Sequence, residues 1–361
     1  MKRMVTVAIV LLVVAVVFLV GLLGSGVLNP KPAVTYTRAG VIPATGVKIT
    51  PSTDTFPPIL LSDEWETPIP MPGPVNTAGA EDSPFITPDG QTFLFFFTPD
   101  VRVPAEKQLL DHVTGIWSTT RSGRNWSEPA RVVLSNDLAL DGCPFLQGTT
   151  LWFCSARAGN YRSIDLYTAQ LSNGAWGNVV NAGAQLNREY QAGEIALSPD
   201  GQTMYWGSGD FTSGTNVLYE SNQTATGWDT PVRVPNVNNV SNAFLPFVPY
   251  PGTELWFTAT SGLGNPGPAI YRSLRQGNGW GPPEEIVSRF AAEPTLDAQG
   301  NLYFVHHYFR ANMTMIEADI YVAYHKGVAA SSVMAPSIPV SFHAVPVQMG
   351  CPERILVPAR I

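Results

Sequence analysis

Four acidic residues stand near the starts of successive apolar segments: Asp82, Asp141, Glu194 and Glu293. Two carboxyl groups held at a set separation, one protonated and one ionised, can hydrolyse a glycosidic bond. Oxygen ligands of this kind can also hold a divalent cation. The alternative is that each acid accepts backbone N–H bonds at the start of its own segment, because a repeat protein repeats its structural devices. Since the acids recur with the repeat described below, the sequence favours this structural interpretation.

The segments belong to an internal repeat of roughly 50 residues. Each unit contains an apolar run, a tight turn such as Pro88-Asp89-Gly90, an aromatic strand, a loop, a third strand and a Trp-bearing strand. Four strands in a unit of this length make one blade of a β-propeller. A strand-final aromatic marks every unit: Trp117, Tyr167, Tyr219, Tyr271 and Tyr321. The sequence therefore predicts an all-β, five-bladed propeller with four-stranded blades.

The fifth unit lacks its Trp-bearing strand, because the chain runs from Tyr321 into a tail rich in small residues and proline. The missing pattern occurs near the other end of the chain, at Trp65 and Pro68. We expect an N-terminal strand carrying Trp65 to complete the last blade, which would close the ring and remove an exposed edge.

The turns Thr87-Pro88-Asp89-Gly90-Gln91 and Ser198-Pro199-Asp200-Gly201-Gln202, each followed by an aromatic strand, resemble the TolB-type (WD-like, PD-repeat) propeller family. The resemblance covers roughly residues 81–326. It implies a propeller that works outside the cytoplasm, and it names no activity.

The N-terminus carries a membrane-targeting signal over residues 1–28. Lys2 and Arg3 precede residues 5–23, which are apolar except for Thr6 and are long enough to cross a bilayer. An uncleaved signal anchor would leave the propeller tethered outside the cytoplasm, whereas a cleaved signal peptide would make the protein secreted or periplasmic. The predicted domains are a Pro/Thr-rich spacer over 29–58, the propeller over 59–327, and an unassigned tail over 328–361.

Cys143 and Cys154 flank a turn, so in a regular hairpin they would face each other within disulfide reach. The alternative is a pair of small buried thiols. The adjacent His306 and His307 should point to opposite faces of a strand and so cannot chelate one metal together. We expect no cofactor, with a divalent cation in the central channel as the alternative.

Aromatic residues fall into two groups. Trp152, Trp206, Trp256 and Tyr303 share one repeat position, which predicts packing between blades. Aromatics assigned to loops are candidates for ligand contact, since loops carry function; these are Tyr161, Tyr190, Phe211 and Tyr308.

The net charge of −7 and the absence of a Lys/Arg cluster argue against a nucleic-acid partner. With its predicted anchor, the chain is interpreted as a membrane-tethered module that binds a protein or a polysaccharide outside the cytoplasm. The alternative is a glycan-active hydrolase that uses two of the four acids.

Overall fold

Apolar and aromatic runs alternate with tight turns along the repeats, and the runs form strands. The computed structural model describes residues 37–123, 125–209 and 215–327. The predicted membrane segment, the C-terminal tail and Phe211 lie outside these ranges. No helix within them has the length and apolar character needed to span a bilayer.

The strands follow the predicted repeat. Two short strands come first, β1 (Ile59–Leu60) and β2 (Ile69–Pro70). The first repeat contains β3 (Ala80–Ile86), β4 (Thr92–Thr98), β5 (Gly115–Ser122), β6 (Asn125–Trp126) and β7 (Ala130–Arg131), and the second contains β8 (Ala139–Gln147), β9 (Thr150–Arg157), β10 (Asp165–Ser172) and β11 (Ala175–Asn181). The third contains β12 (Ile195–Leu197), β13 (Thr203–Ser208), β14 (Val217–Thr224), β15 (Gly227–Trp228) and β16 (Val232–Arg233). The fourth contains β17 (Phe244–Phe247), β18 (Glu254–Thr260), β19 (Pro268–Gln276), β20 (Gly279–Trp280) and β21 (Glu284–Ser288), and the fifth contains β22 (Ala291–Leu296), β23 (Leu302–Phe309) and β24 (Met315–Ala323).

The helices are short and lie outside the repeated strands. They are the α-helices α1 (Arg38–Val41) and α2 (Ala105–Gln108), a π-helical turn at Gln185–Glu189 and a 3₁₀ turn at Val237–Asn239.

Strands pair antiparallel within each repeat, in the order inner, second, third and outer strand. The first and fifth repeats share one sheet because β24 and β3 meet through a parallel bridge between Ala318 and Ala80. Buried Leu, Val, Phe and Trp side chains fill the space between sheets. This is the all-β propeller architecture that the repeat predicts.

The segment before the repeats adds strands to their outer edges, as predicted for Trp65. Trp65 forms an antiparallel bridge with His325, and its indole Nε1 donates to the Gly300 carbonyl at 2.8 Å. Strand β2 pairs with β24 of the fifth repeat. Strand β1 pairs with β21 of the fourth repeat, which the sequence does not predict.

Residues 37–58 do not form the extended spacer that the sequence predicts. Arg38 is buried and donates to the Glu81 carboxylate at 3.1 Å. Lys48 forms an ion pair with Glu317, and the Asp54 carboxylate lies 2.8 Å from Nε2 of the buried His306. The boundary predicted at residue 59 is therefore too late, because charged side chains upstream of it bind partners in the propeller that are far away in sequence.

Candidate functional site

The inner strands of all five repeats bring side chains to one cavity. In β3, β8, β17 and β22 the pairing with the second strand is interrupted near the middle of the inner strand. At each interruption a residue with positive φ precedes a proline; these are Ser83, Cys143, Leu245 and Glu293. Glu194 holds the corresponding place immediately before β12. We call these five residues the channel positions.

The channel positions line one cavity that is partly open to solvent. Next to them, Phe85, Phe145 and Phe247 contribute aromatic walls. The ring centroids of Phe85 and Phe145 are 5.1 Å apart, and those of Phe85 and Phe247 are 6.3 Å apart. The cavity therefore combines carboxyl groups with apolar ring surfaces.

Glu194 and Cys143 form the first polar pair of the site. The Cys143 thiol donates to Glu194 Oε1 at 3.0 Å. Burial raises the pKa of Glu194 well above its ordinary value, and the neighbouring Cys143 and the Asp82 charge act in the same direction. The pKa of the Cys143 thiol is also raised, first through its contact with Cys154 and then through burial. Both shifts favour the neutral, protonated forms of these groups.

Glu293 and Asp82 form the second pair. Burial raises the pKa of Glu293 well above its ordinary value, and the charges of Asp82 and Glu194 add to the shift. Burial also opposes ionisation of Asp82, but the His307 imidazole, with Nε2 at 3.5 Å, and hydrogen bonds from its neighbours lower the pKa of Asp82 overall. The two shifts thus favour a protonated Glu293 beside an ionised Asp82.

One oxygen of Glu293 is left without a partner. Among the described residues, Glu293 Oε2 is buried and accepts or donates no hydrogen bond. Burying a carboxyl oxygen without a hydrogen-bond partner costs folding free energy, unless a ligand or a water molecule bonds to it. The Glu293 backbone N–H donates to Thr258 Oγ1 at 2.9 Å, which helps to fix the backbone here.

Asp141 lies apart from this cluster and has a structural environment. Its Oδ1 accepts from Ser155 Oγ and from Arg157 Nη2, both at 2.7 Å. The interpretation that an acid anchors its own blade therefore describes Asp141 well. It also describes Glu81, whose carboxylate is bonded by Arg38 and Thr77.

The four acids do not all occupy equivalent repeat positions, contrary to the expectation from sequence. Glu194 and Glu293 share the channel position, whereas Asp82 lies two residues before the proline of its inner strand and Asp141 three residues before it. Alignment by nearness to strand starts hides these offsets. Because Asp82 neighbours Glu293 from a different repeat position, shared turn chemistry does not account for this pair.

The two cysteines of the described ranges are free thiols. The expectation that they lie directly opposite is wrong, since Gly142 pairs with Cys154 and Cys143 lies in the interruption of β8. The structure corresponds to the alternative of two small thiols. Within the described residues, no group of three or more His, Cys, Asp or Glu is arranged to hold a metal ion.

Comparisons with known proteins identify no family. No protein-family model matches the chain, and no curated protein matches it. Similar solved structures include TolB from Acinetobacter baumannii, with 20% identity over 65% of this chain and 53% of that chain at a TM-score of 0.36. A thermostable family-43 glycoside hydrolase has 12% identity over 71% of this chain and 95% of that one, with a TM-score of 0.45.

The catalytic domain of the Coprinopsis cinerea GH62 α-L-arabinofuranosidase has 11% identity over 73% of this chain and 97% of that one, with a TM-score of 0.47. The chain spans about half of the TolB chain it matches. These likenesses assign no activity.

The aromatic candidates are dispersed. Tyr161 is exposed in the loop between β9 and β10, with the Arg188 guanidinium 5.6 Å from its ring centroid. Tyr190 stacks on Trp206 at 6.1 Å. The prediction that Tyr308 lies in a loop is wrong. Tyr308 lies in β23 and is 1% exposed, and its hydroxyl donates to the Asp319 carboxylate at 3.0 Å. None of these three lines the cavity.

Of the predicted packing aromatics, Trp206, Trp256 and Tyr303 are buried in the core, whereas Trp152 is only partly buried and packs against it. The cavity residues that sequence reasoning missed are Ser83, Leu245 and the three phenylalanines. The sequence signal that could have found these residues is a residue followed by proline, which recurs in the inner strands and aligns them with one another.

Proposed function

We propose that the protein is a membrane-tethered propeller outside the cytoplasm that binds a glycan at the channel positions. The observation that carries the proposal is the convergence of Glu194, Glu293 and three phenylalanines on one cavity. A cavity that combines carboxyl groups with aromatic rings can bind a small polar ligand, whereas a protein partner needs a much larger surface. The location outside the cytoplasm rests on the sequence of residues 1–28.

The protonation states support a ligand rich in hydroxyl groups. A protonated carboxyl group both donates and accepts hydrogen bonds, as a sugar hydroxyl does. Glu194 and Glu293 supply two such groups, and the ionised Asp82 supplies an acceptor. The unpartnered Oε2 of Glu293 is the atom that a ligand hydroxyl would satisfy.

The test is binding of the full chain to a panel of soluble polysaccharides and their oligosaccharides, measured by calorimetry. Glu293→Gln should weaken binding by up to about tenfold, since a hydrogen bond between neutral groups is worth about 0.5–1.5 kcal/mol. Glu128→Gln, at an acid whose side chain is 78% exposed, is the matched control and should bind normally. Binding that is equal in Glu293→Gln and the control, or absent from every glycan, would refute the proposal.

A second candidate function is glycoside hydrolysis, favoured by the opposite pKa shifts of Asp82 and Glu293 or Glu194. Such a split supplies an acid and a base or nucleophile within one site. Release of reducing sugar that is lost in Asp82→Asn and in one of the two glutamate variants would establish it. Binding without release would leave the protein a binding module.

A further inference from the structure

One face of the propeller carries the loops that join second to third strands. The inner strands reach the cavity at corresponding positions, so they run in the same direction. The start of each inner strand lies beside the end of its second strand, as in the pairs Ala80–Thr98 and Ala139–Arg157. All second-to-third loops therefore emerge at this end. We call it the loop face and define it by the loops 99–114, 158–164, 261–267 and 310–314.

Each of these four loops exposes a large apolar side chain. The exposed fractions are 60% for Leu110, 55% for Ile164, 65% for Leu263 and 51% for Met313. Loop tips in soluble proteins are usually small and polar. An exposed large apolar residue in all four loops is therefore a surface feature that the fold does not require.

The N-terminal segment crosses the same face. Arg38 bonds Glu81 at the start of β3, and Ile49 N–H bonds Glu317 at 2.9 Å near the start of β24. Phe56 packs on Phe290 just before β22, with 5.4 Å between ring centroids. The chain thus enters the propeller at the loop face.

The length of chain before this entry point limits where a membrane can lie. The predicted membrane segment ends at Leu23. Residues 24–36 join it to Thr37 and span roughly 45 Å at most when fully extended. A tether that joins the propeller at the loop face allows this face to reach the bilayer.

We propose that the loop face docks on the lipid bilayer, with Leu110, Ile164, Leu263 and Met313 inserted at the level of the headgroups and upper acyl chains. The proposal rests on the membrane tether of the proposed function and is independent of the glycan site. Separate apolar tips suit a fluid lipid surface, into which each can insert alone. A second copy of the chain would instead need one contiguous, self-complementary patch.

Polar side chains close to these exposed apolar residues also favour a membrane surface. Tyr161, 49% exposed, lies in the same loop as Ile164, and the Arg188 guanidinium stands over its ring. Tyrosine and arginine with an apolar body and a polar tip favour the membrane–water interface.

The experiment uses the full chain with Cys351→Ser, reconstituted into phosphatidylcholine–phosphatidylglycerol vesicles. Ile164→Cys, Leu263→Cys and Val232→Cys are each labelled with an environment-sensitive fluorophore. Val232 lies on outer strand β16 and is 55% exposed, the same fraction as Ile164, so it is the matched control. Labelling of the Cys351→Ser chain alone gives the blank for Cys143 and Cys154.

Quenching by lipids with a nitroxide near the headgroup should be at least about twofold stronger at positions 164 and 263 than at 232, because inserted tips lie within reach of the shallow acyl region. A chain that floats with the vesicles but shows equal quenching at all three positions overturns the docking and leaves the tether intact. A chain that does not float overturns both, and the glycan-binding assay is unaffected by either result. Tips shielded from aqueous iodide but not quenched by lipid would mean that protein covers the loop face, which also overturns the proposal.

Discussion

The buried pair of Arg38 and Glu81 predicts how the stability of the protein depends on pH. Glu81 is 0% exposed, and burial, opposed by the Arg38 charge, raises its pKa from 4.5 to about 7. The native state therefore holds this proton up to about pH 7, whereas the unfolded chain releases it near its ordinary value. The free energy of unfolding consequently falls as the pH rises between these two values, and the loss is complete above pH 7.

The size of the effect follows from the shift. A difference of this size between folded and unfolded pKa values corresponds to about 3 kcal/mol, at 1.36 kcal/mol per pKa unit. Glu81→Gln removes the titrating group and keeps its volume. The difference in unfolding free energy between pH 5 and pH 8 should therefore be about 3 kcal/mol smaller in this variant than in the wild type.

Urea unfolding at pH 5 and pH 8, followed by tryptophan fluorescence, measures this difference. Glu317, whose pKa is also raised to about 7, contributes equally to all the chains compared. The control is Glu128→Gln, an exposed acid 3.9 Å from the same Arg38 guanidinium. If Glu81→Gln keeps the wild-type pH dependence, Glu81 is ionised throughout and the reasoning from burial is refuted.

Two further predictions concern buried aromatic residues. Trp65→Ala should lower the unfolding free energy by about 3–5 kcal/mol in urea titrations, because it removes a buried ring and the hydrogen bond to the Gly300 carbonyl. A loss below about 1 kcal/mol would show that the N-terminal segment does not stabilise the last repeat. Tyr308→Phe should cost about 1–3 kcal/mol by thermal unfolding, since the Asp319 carboxylate loses a buried donor. The control is Tyr161→Phe, at an exposed tyrosine, which should leave the unfolding midpoint unchanged. Equal effects of Tyr308→Phe and Tyr161→Phe on the midpoint would count against the assignment of Tyr308 to the core.

The repeat could be predicted from sequence because its signals are local. Turn residues such as Pro88-Asp89-Gly90 and the aromatic triplets that follow them specify hairpins within a few residues. Trp65 could be assigned to the last repeat because that repeat lacks the Trp-bearing strand that the other repeats carry. Local signals of this kind give the strands and their order.

The site depended on relations that are not local. Glu194 meets Cys143 only because two inner strands converge, and a one-residue offset at the interruption in β8 decides that Cys143 enters the cavity. The anchoring of residues 37–58 was missed for a similar reason. Lys48 and Asp54 find their partners across more than 250 residues, as the separations of 269 and 252 show.

The backbone at the channel positions separates the chemistry of the cavity from the packing of the blades. Ser, Cys, Leu and Glu occupy the four positions with positive φ, so this backbone shape accepts small, apolar and acidic side chains alike. A substitution at a channel position would therefore change the chemistry of the cavity while keeping the backbone shape of the inner strand. Because Cys143 of the second repeat bonds Glu194 of the third, a change at one channel position also alters the environment of its neighbour, so the cavity responds to such changes as a unit.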